Sequence, residues 1–253
     1  MKKIVLSLMA AFLLAIEWMS CKINDYPSNS FPISHELWDG LLKKYASKDG
    51  KVNYKGFLQD SVQFNAYLTL LKSNHPNNKH WNEQERLAYW INAYNAFTVK
   101  LIVDYYPVKS IKDIKKGLPF INSVWDIKFI KIEGATYDLN NIEHSILRTK
   151  FNEPRIHFAI NCASVSCPDL RNEAYTPEQL QDQLSEQAKL FLNNPSKNKI
   201  STQKIELSSI FSWFRKDFKK NGSLIDFLNI YAPTEIDQNA EIDYLDYDWN
   251  LNE

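Results

Sequence analysis

The residues whose types could do chemistry lie closest together in the run HFAINCASVSCP, His157 to Pro168. Alternation predicts a short strand over Ile156 to Asn161. Ile156, Phe158 and Ile160 then share one face, and His157, Ala159 and Asn161 the other. Cys162 falls where that strand ends. A thiol at such a point is a candidate nucleophile if its thiolate is stabilised and a base stands near. A helix predicted from Asn140 to Lys150 supplies the base. Leu139, Ile142 and Ile146 form its core stripe, while His144 and Arg148, four apart, lie on another. The expected constellation is Cys162 as nucleophile, His144 as base and Glu143 orienting His144, with His157 in reserve. This is the thiol-hydrolase pattern. Asn92 and Asn95 are placed to polarise a carbonyl as oxyanion donors, or to tie the backbone of a neighbouring loop. Arg148, His157 and Ser166 complete the expected substrate contacts.

Plainer readings stand beside each of these. Two cysteines five apart also suit a disulfide, or one thiol filling a core site. His157 suits a structural histidine, and His144 with Arg148 a surface stripe. His157, Cys162 and Cys167 form H-x4-C-x4-C, which is not a usual zinc spacing. No metal and no cofactor is therefore expected. The chain also carries 7 Trp and 13 Tyr. That supply favours a second class of function, a non-catalytic module binding a peptide, glycan or protein partner through aromatic contacts.

The elements that must position these groups follow from pattern. Ser34 begins a helix from His35 to about Ala46, and another covers roughly Phe57 to Leu71. Asn82 with Glu85 is a variant capping box ahead of a helix over about 83–106. Apolar residues cover most of its circumference, so it is expected to be buried and central. Trp125 to Ile132 and Ala135 to Leu139 predict a hairpin turning at Glu133-Gly134. A helix from Thr176-Pro177 to Asn194 follows, then extended segments near Lys199 to Leu207 and Glu241 to Trp249. Two helices, Ser209 to Phe218 and Ser223 to Tyr231, lie between those segments. Helices and strands mix without βαβ regularity. The expected class is α+β, one domain over 34–253, with helices packed on a small, mainly antiparallel sheet.

The N-terminus predicts export. Lys2 and Lys3 precede an apolar run from Ile4 to Ile16, with Met19, Ser20 and Cys21 after it. Residues 1–20 are expected to be a signal peptide, Cys21 the acceptor of a lipoprotein lipid, and 21–33 a tether. The chain would then sit in the periplasm or on the outer surface of a bacterial cell, membrane-anchored. Lys+Arg and Asp+Glu are 30 each. A phosphate-gripping protein carries a basic excess, so nucleic acid is not an expected partner. Only 6 Gly are present and no G-x-G-x-x-G, which excludes the usual nucleotide loops.

Four motifs, in order, resemble the family called "domain of unknown function 547". They are YWINAYNAF (Tyr89 to Phe97), IEHSILR (Ile142 to Arg148), HFAINCASVSCPDL (His157 to Leu170) and YLDYDWNLN (Tyr244 to Asn252). With the Trp125 hairpin they span roughly residues 80–252. The resemblance implies no settled activity. It suggests by analogy a papain-like or transglutaminase-like thiol enzyme, and fold analogy does not supply function. One departure matters. In papain-like enzymes the nucleophilic cysteine begins the central helix, whereas here that helix carries Asn92 and Asn95 and no cysteine.

Overall fold

The computed structural model describes residues 26–115 and 123–253. The expected signal peptide, Cys21 and the first part of the tether lie outside the described residues. The helices are α1 (Glu36–Tyr45), α2 (Tyr54–Gln59), α3 (Ser61–Lys72), α4 (Glu83–Tyr105), α5 (Arg148–Lys150), α6 (Ile156–Ala159), α7 (Leu180–Asn193), α8 (Ile210–Trp213), α9 (Arg215–Phe218) and α10 (Leu224–Asn229). A π-helix, Asn141–Leu147, runs directly into α5. The strands are β1 (Ile130–Ile132), β2 (Ala135–Tyr137), β3 (Lys199–Ile200), β4 (Lys204–Leu207) and β5 (Glu241–Tyr244). The class is α+β.

The strands make two small sheets rather than one. β1 and β2 form an antiparallel hairpin with Ile132 opposite Ala135. Its turn places Glu133 at φ 45° and Gly134 at φ 88°, which is where the glycine is needed. The second sheet has the order β3-β4-β5, with β3 antiparallel and β4 parallel to β5. Trp125 belongs to a 3-10 turn, Val124–Asp126, and not to the hairpin strand.

α4 organises the molecule. Asn82 accepts from the Glu85 N–H at 2.9 Å, and the Glu85 carboxylate accepts from the Asn82 N–H at 2.7 Å. Every residue from Leu87 to Val99 is buried. A helix apolar all round needs neighbours all round. α1 to α3, the hairpin and the π-helix supply them in one core. A second core gathers Phe158, Phe191, Phe211, Phe218 and Phe227 between α7, the three-stranded sheet and α8 to α10.

Two expected elements differ. The Ile156 to Asn161 stretch is a helical turn, not a strand. Ile160 N–H bonds Ile156 O, and the Glu153 and Pro154 carbonyls accept from the Ile156 and His157 N–H groups. Ile156, His157, Phe158 and Ala159 are all buried. When every face is covered, alternation carries no information about the backbone. The Asn140 helix is a π-helix whose next N–H, from Arg148, reaches back five residues to Glu143 O. Asn140 does not cap it; the Asp138 carboxylate accepts from Asn141 N–H at 2.6 Å instead.

Candidate active site

The cleft lies along the seam between the two cores and has a volume of about 210 Å³. Cys162, Cys167, Glu143, His144 and His157 all line it. Trp125, Trp213, Phe214, Tyr247 and Trp249 form aromatic walls.

The loop that presents Cys162 is pinned at both ends by buried amides. Asn95 donates to Ala159 O at 2.9 Å and accepts from Asn161 N–H at 2.8 Å. The Asn161 side chain donates to Pro168 O at 2.7 Å and accepts from Ala163 N–H at 2.8 Å. Ala163 is thereby held at φ 61°, in the left-handed region. That conformation costs a non-glycine residue on the order of 1–3 kcal/mol, and such residues cluster at functional sites. It turns the chain sharply just after Cys162.

The C-terminal segment closes over this loop. Val165 N–H bonds Asn250 O, Ser166 N–H bonds Asp248 O, and Ser164 bridges Leu251. Tyr54 OH anchors the tail by donating to Asn252 at 2.7 Å. The result sets the Tyr247 hydroxyl 3.3 Å from Cys162 Sγ, with the Ser164 hydroxyl at 3.2 Å. The Cys162 N–H donates to Cys167 Sγ at 2.8 Å, and both cysteines are free. The neighbouring Cys167 thiol draws the Cys162 thiol down to about 7; burial opposes this, and the Ser164 and Tyr247 hydroxyls assist it. Burial pushes the Cys167 thiol well up, so the pair is asymmetric. Tyr247 is likewise pushed far up by burial and stays a hydroxyl donor.

The acid–base groups are arranged differently from the sequence expectation. Glu143 does not orient His144. Its buried carboxyl accepts from Tyr94 OH on α4 at 3.2 Å, since Glu143 shares the buried face of its helix with Ile142 and Ile146. Burial, aided by the charge of Cys162, raises it to about 7. The basic nitrogen of His144 is spent. Arg148 can only donate, so the 2.8 Å bond to His144 Nδ1 makes that nitrogen an acceptor. Burial and Arg148 both lower His144. His157 is buried, with Nε2 2.9 Å from Asp217, and its ring stacks on Phe214 at 4.0 Å. Burial lowers it to about 4. Arg148 also donates to Asp217, at 2.6 Å. Neither histidine is a hydrogen-bond partner of Cys162 Sγ.

The remaining expected contacts serve the scaffold. Asn92 donates to Tyr175 O at 2.8 Å and accepts from Tyr175 N–H at 3.1 Å. Both α4 amides are therefore consumed by backbone rather than aimed at the cleft as oxyanion donors. Ser166 Oγ accepts from Asp248 N–H at 2.9 Å and does not line the cleft, nor does Arg148. Sequence reasoning assigned no role to Tyr94, Ser164, Tyr247, Trp213, Phe214 or Asp217. Tyr247 and Trp249 carry a signal, since they lie in the Tyr244 to Asn252 motif. No group of three or more His, Cys, Asp or Glu among the described residues is arranged to hold a metal ion.

The family described as "Protein of unknown function, DUF547" matches residues 78–192. This stretch of the chain is similar to that family. It contains α4, the π-helix, Cys162 and Cys167, and it ends before Trp213, Tyr247 and Trp249. The cleft thus combines residues of the matched stretch with residues from the C-terminal quarter of the chain. No curated protein and no solved structure matches.

The raised Glu143 has a consequence for stability. An unfolded glutamate ionises above about 4.5, whereas the folded one holds its proton to about 7. Stability is therefore fully present below pH 4.5 and falls as pH rises to 7. The shift corresponds to roughly 3 kcal/mol. Glu143→Gln keeps an acceptor for Tyr94 and carries no charge. Thermal melts are expected to show it stabilised by roughly that amount at pH 8 and little changed at pH 4. Equal melting shifts at both pH values would refute the assignment.

Proposed function

We propose that the cleft is the reaction site of a thiol-dependent hydrolase or acyltransferase acting on an amide or ester carbonyl. The observation that carries this reading is the Cys162 sulfur on the cleft surface, within 3.3 Å of two hydroxyl groups and lowered to about 7. Cys162 is the nucleophile, and Glu143, not His144, is the acid–base group. A pKa near operating pH is what proton transfer requires. The thiolate adds to the carbonyl carbon. Glu143 gives its proton to the departing amine or alcohol as the acyl thioester forms. Glu143, now ionised, takes a proton from water or an acceptor nucleophile, which displaces Cys162 as thiolate. The Tyr247 and Ser164 hydroxyls, freed as negative charge leaves the sulfur, are the nearest donors for the developing oxyanion.

Iodoacetamide labelling of Cys162 across pH 5 to 9, followed by mass spectrometry, tests the first premise. The rate is expected to rise with a midpoint near 7, against about 8.5 for a free thiol. His144→Ala is expected to move that midpoint by no more than about half a unit. Labelling only after denaturation would end the enzyme reading.

A second reading has its own observation. Trp213 is 49% exposed, stacks on Trp249 at 5.9 Å and touches Tyr247 at 4.8 Å. An open aromatic shelf of this kind suits a ligand ring, as in a peptide- or glycan-binding module. An inert Cys162 with intact ligand binding would favour it. We also propose that the chain is exported to the bacterial envelope and anchored by lipid at Cys21, supported by the pattern of residues 1–21. Cell fractionation checks this, and recovery in the soluble cytoplasmic fraction would overturn it.

A further inference from the structure

The two cysteines of the cleft are close enough for chemistry beyond the support that Cys167 gives the Cys162 thiolate. The Cys162 N–H lies 2.8 Å from Cys167 Sγ. One N–Cα bond further on, Cys162 Cα is at most about 4.3 Å from that sulfur. The turn between them is closed by Cys167 N–H on Ser164 O at 3.1 Å. Both thiols line the same cleft, Cys162 half-buried and Cys167 buried. Cys162 Sγ lies within 3.3 Å of both the Tyr247 and Ser164 hydroxyls, while Cys167 Sγ donates to Ile160 O at 3.9 Å and is acted on by Tyr247 as well. An accessible sulfur stabilised as thiolate beside a buried thiol is the division of labour of a nucleophilic and a resolving cysteine.

We propose that Cys162 and Cys167 form a dithiol–disulfide couple that exchanges with small disulfides entering the cleft. The proposal rests on the reading of Cys162 as a thiolate. The Cys162 thiolate attacks one sulfur of the disulfide, the old S–S bond breaks, and one thiolate leaves. A mixed disulfide stands on Cys162. Cys167 loses its proton to the departing thiolate and attacks the Cys162 sulfur. The Cys162–Cys167 bond forms and the second thiolate leaves. The two cysteines are oxidised by two electrons, and the small disulfide is reduced to one thiol and one thiolate, which takes its proton from solvent. The closed form has no nucleophile, so the same couple switches the carbonyl reaction off. The loop is suited to closure because its ends are fixed by Asn95 and Asn161, and its sharp turn is already formed at Ala163.

The test uses the full chain carrying Cys21→Ser, so that Cys162 and Cys167 are the only thiols. Glutathione disulfide is the probe, with acid quenching, alkylation and intact mass. The expected product is the protein short of two hydrogens, with loss of alkylation at both cysteines and full recovery after reductant. Cys167→Ser is expected to stop at a stable glutathione adduct on Cys162, and Cys162→Ser to give neither product. A lasting adduct on Cys162 with Cys167 present would overturn the couple while leaving the thiolate intact. Failure of Cys162 to react with iodoacetamide at pH 7 would remove the underlying reading instead.

Discussion

Tyr247→Phe is expected to raise the midpoint of Cys162 labelling from about 7 by 1 to 2 units. The phenol oxygen lies 3.3 Å from Cys162 Sγ; its own ionisation is suppressed by burial, and a thiolate can only accept, so it is a donor to Cys162 wherever the thiol is ionised. A hydrogen bond to a charged partner contributes about 1.5–3 kcal/mol, and each pKa unit is about 1.4 kcal/mol. At pH 6 the thiolate population falls roughly tenfold per unit. The rate at high pH is expected to rise slightly, because a more basic thiolate is a better nucleophile. That opposite movement of the two limbs separates loss of a donor from simple damage to the fold. An unchanged midpoint would mean that Cys167 and Ser164 hold the thiolate without Tyr247.

Asn95→Ala is expected to cost about 4 kcal/mol and to lower the melting temperature by on the order of 10 °C. Its amide answers both Ala159 O and Asn161 N–H, and it is buried inside α4. Truncation leaves two buried backbone groups without partners, each worth about 1–3 kcal/mol. Asn161 begins the turn that carries Cys162, so the same substitution is expected to blur the labelling midpoint. Asn92→Ala removes an equivalent pair at Tyr175, far along the chain from Cys162. It is expected to destabilise comparably without moving the midpoint. Melting by calorimetry together with the pH profile checks both. A melt within 2 °C of the parent for Asn95→Ala would show that the loop finds its own partners.

These two residues show why a role on α4 was visible and its direction was not. Two amides on an otherwise apolar helix announce that something polar must be satisfied in the interior. A substrate carbonyl and a backbone carbonyl make the same demand on an amide. Only the packing of the Ala159 and Tyr175 segments against α4 distinguishes them.

Local rules sufficed where the cause is local. The Asn82–Glu85 box, the length of α4, the Glu133-Gly134 turn and the mixed α+β class follow from spacing, capping and glycine placement alone. Cys162 was also legible as a candidate, because a thiol between polar turn residues is conspicuous in sequence. Three things needed tertiary structure. The Ile156 turn is helical because all its faces are buried, which erases the periodicity that tells helix from strand. Glu143 shares the apolar face of its helix, four residues after Leu139 and three before Ile146, but only the packing of that face against α4 gives it Tyr94 as a partner instead of His144. Tyr247 reaches Cys162, and Trp249 the cleft, because a tail more than eighty residues downstream pairs with the 164–166 loop. The amino-acid order determined which groups exist to do chemistry and which helix stands at the centre. The contacts between distant segments decided which group faces the thiol, since the environment that shifts a pKa is built from neighbours in space and not along the chain.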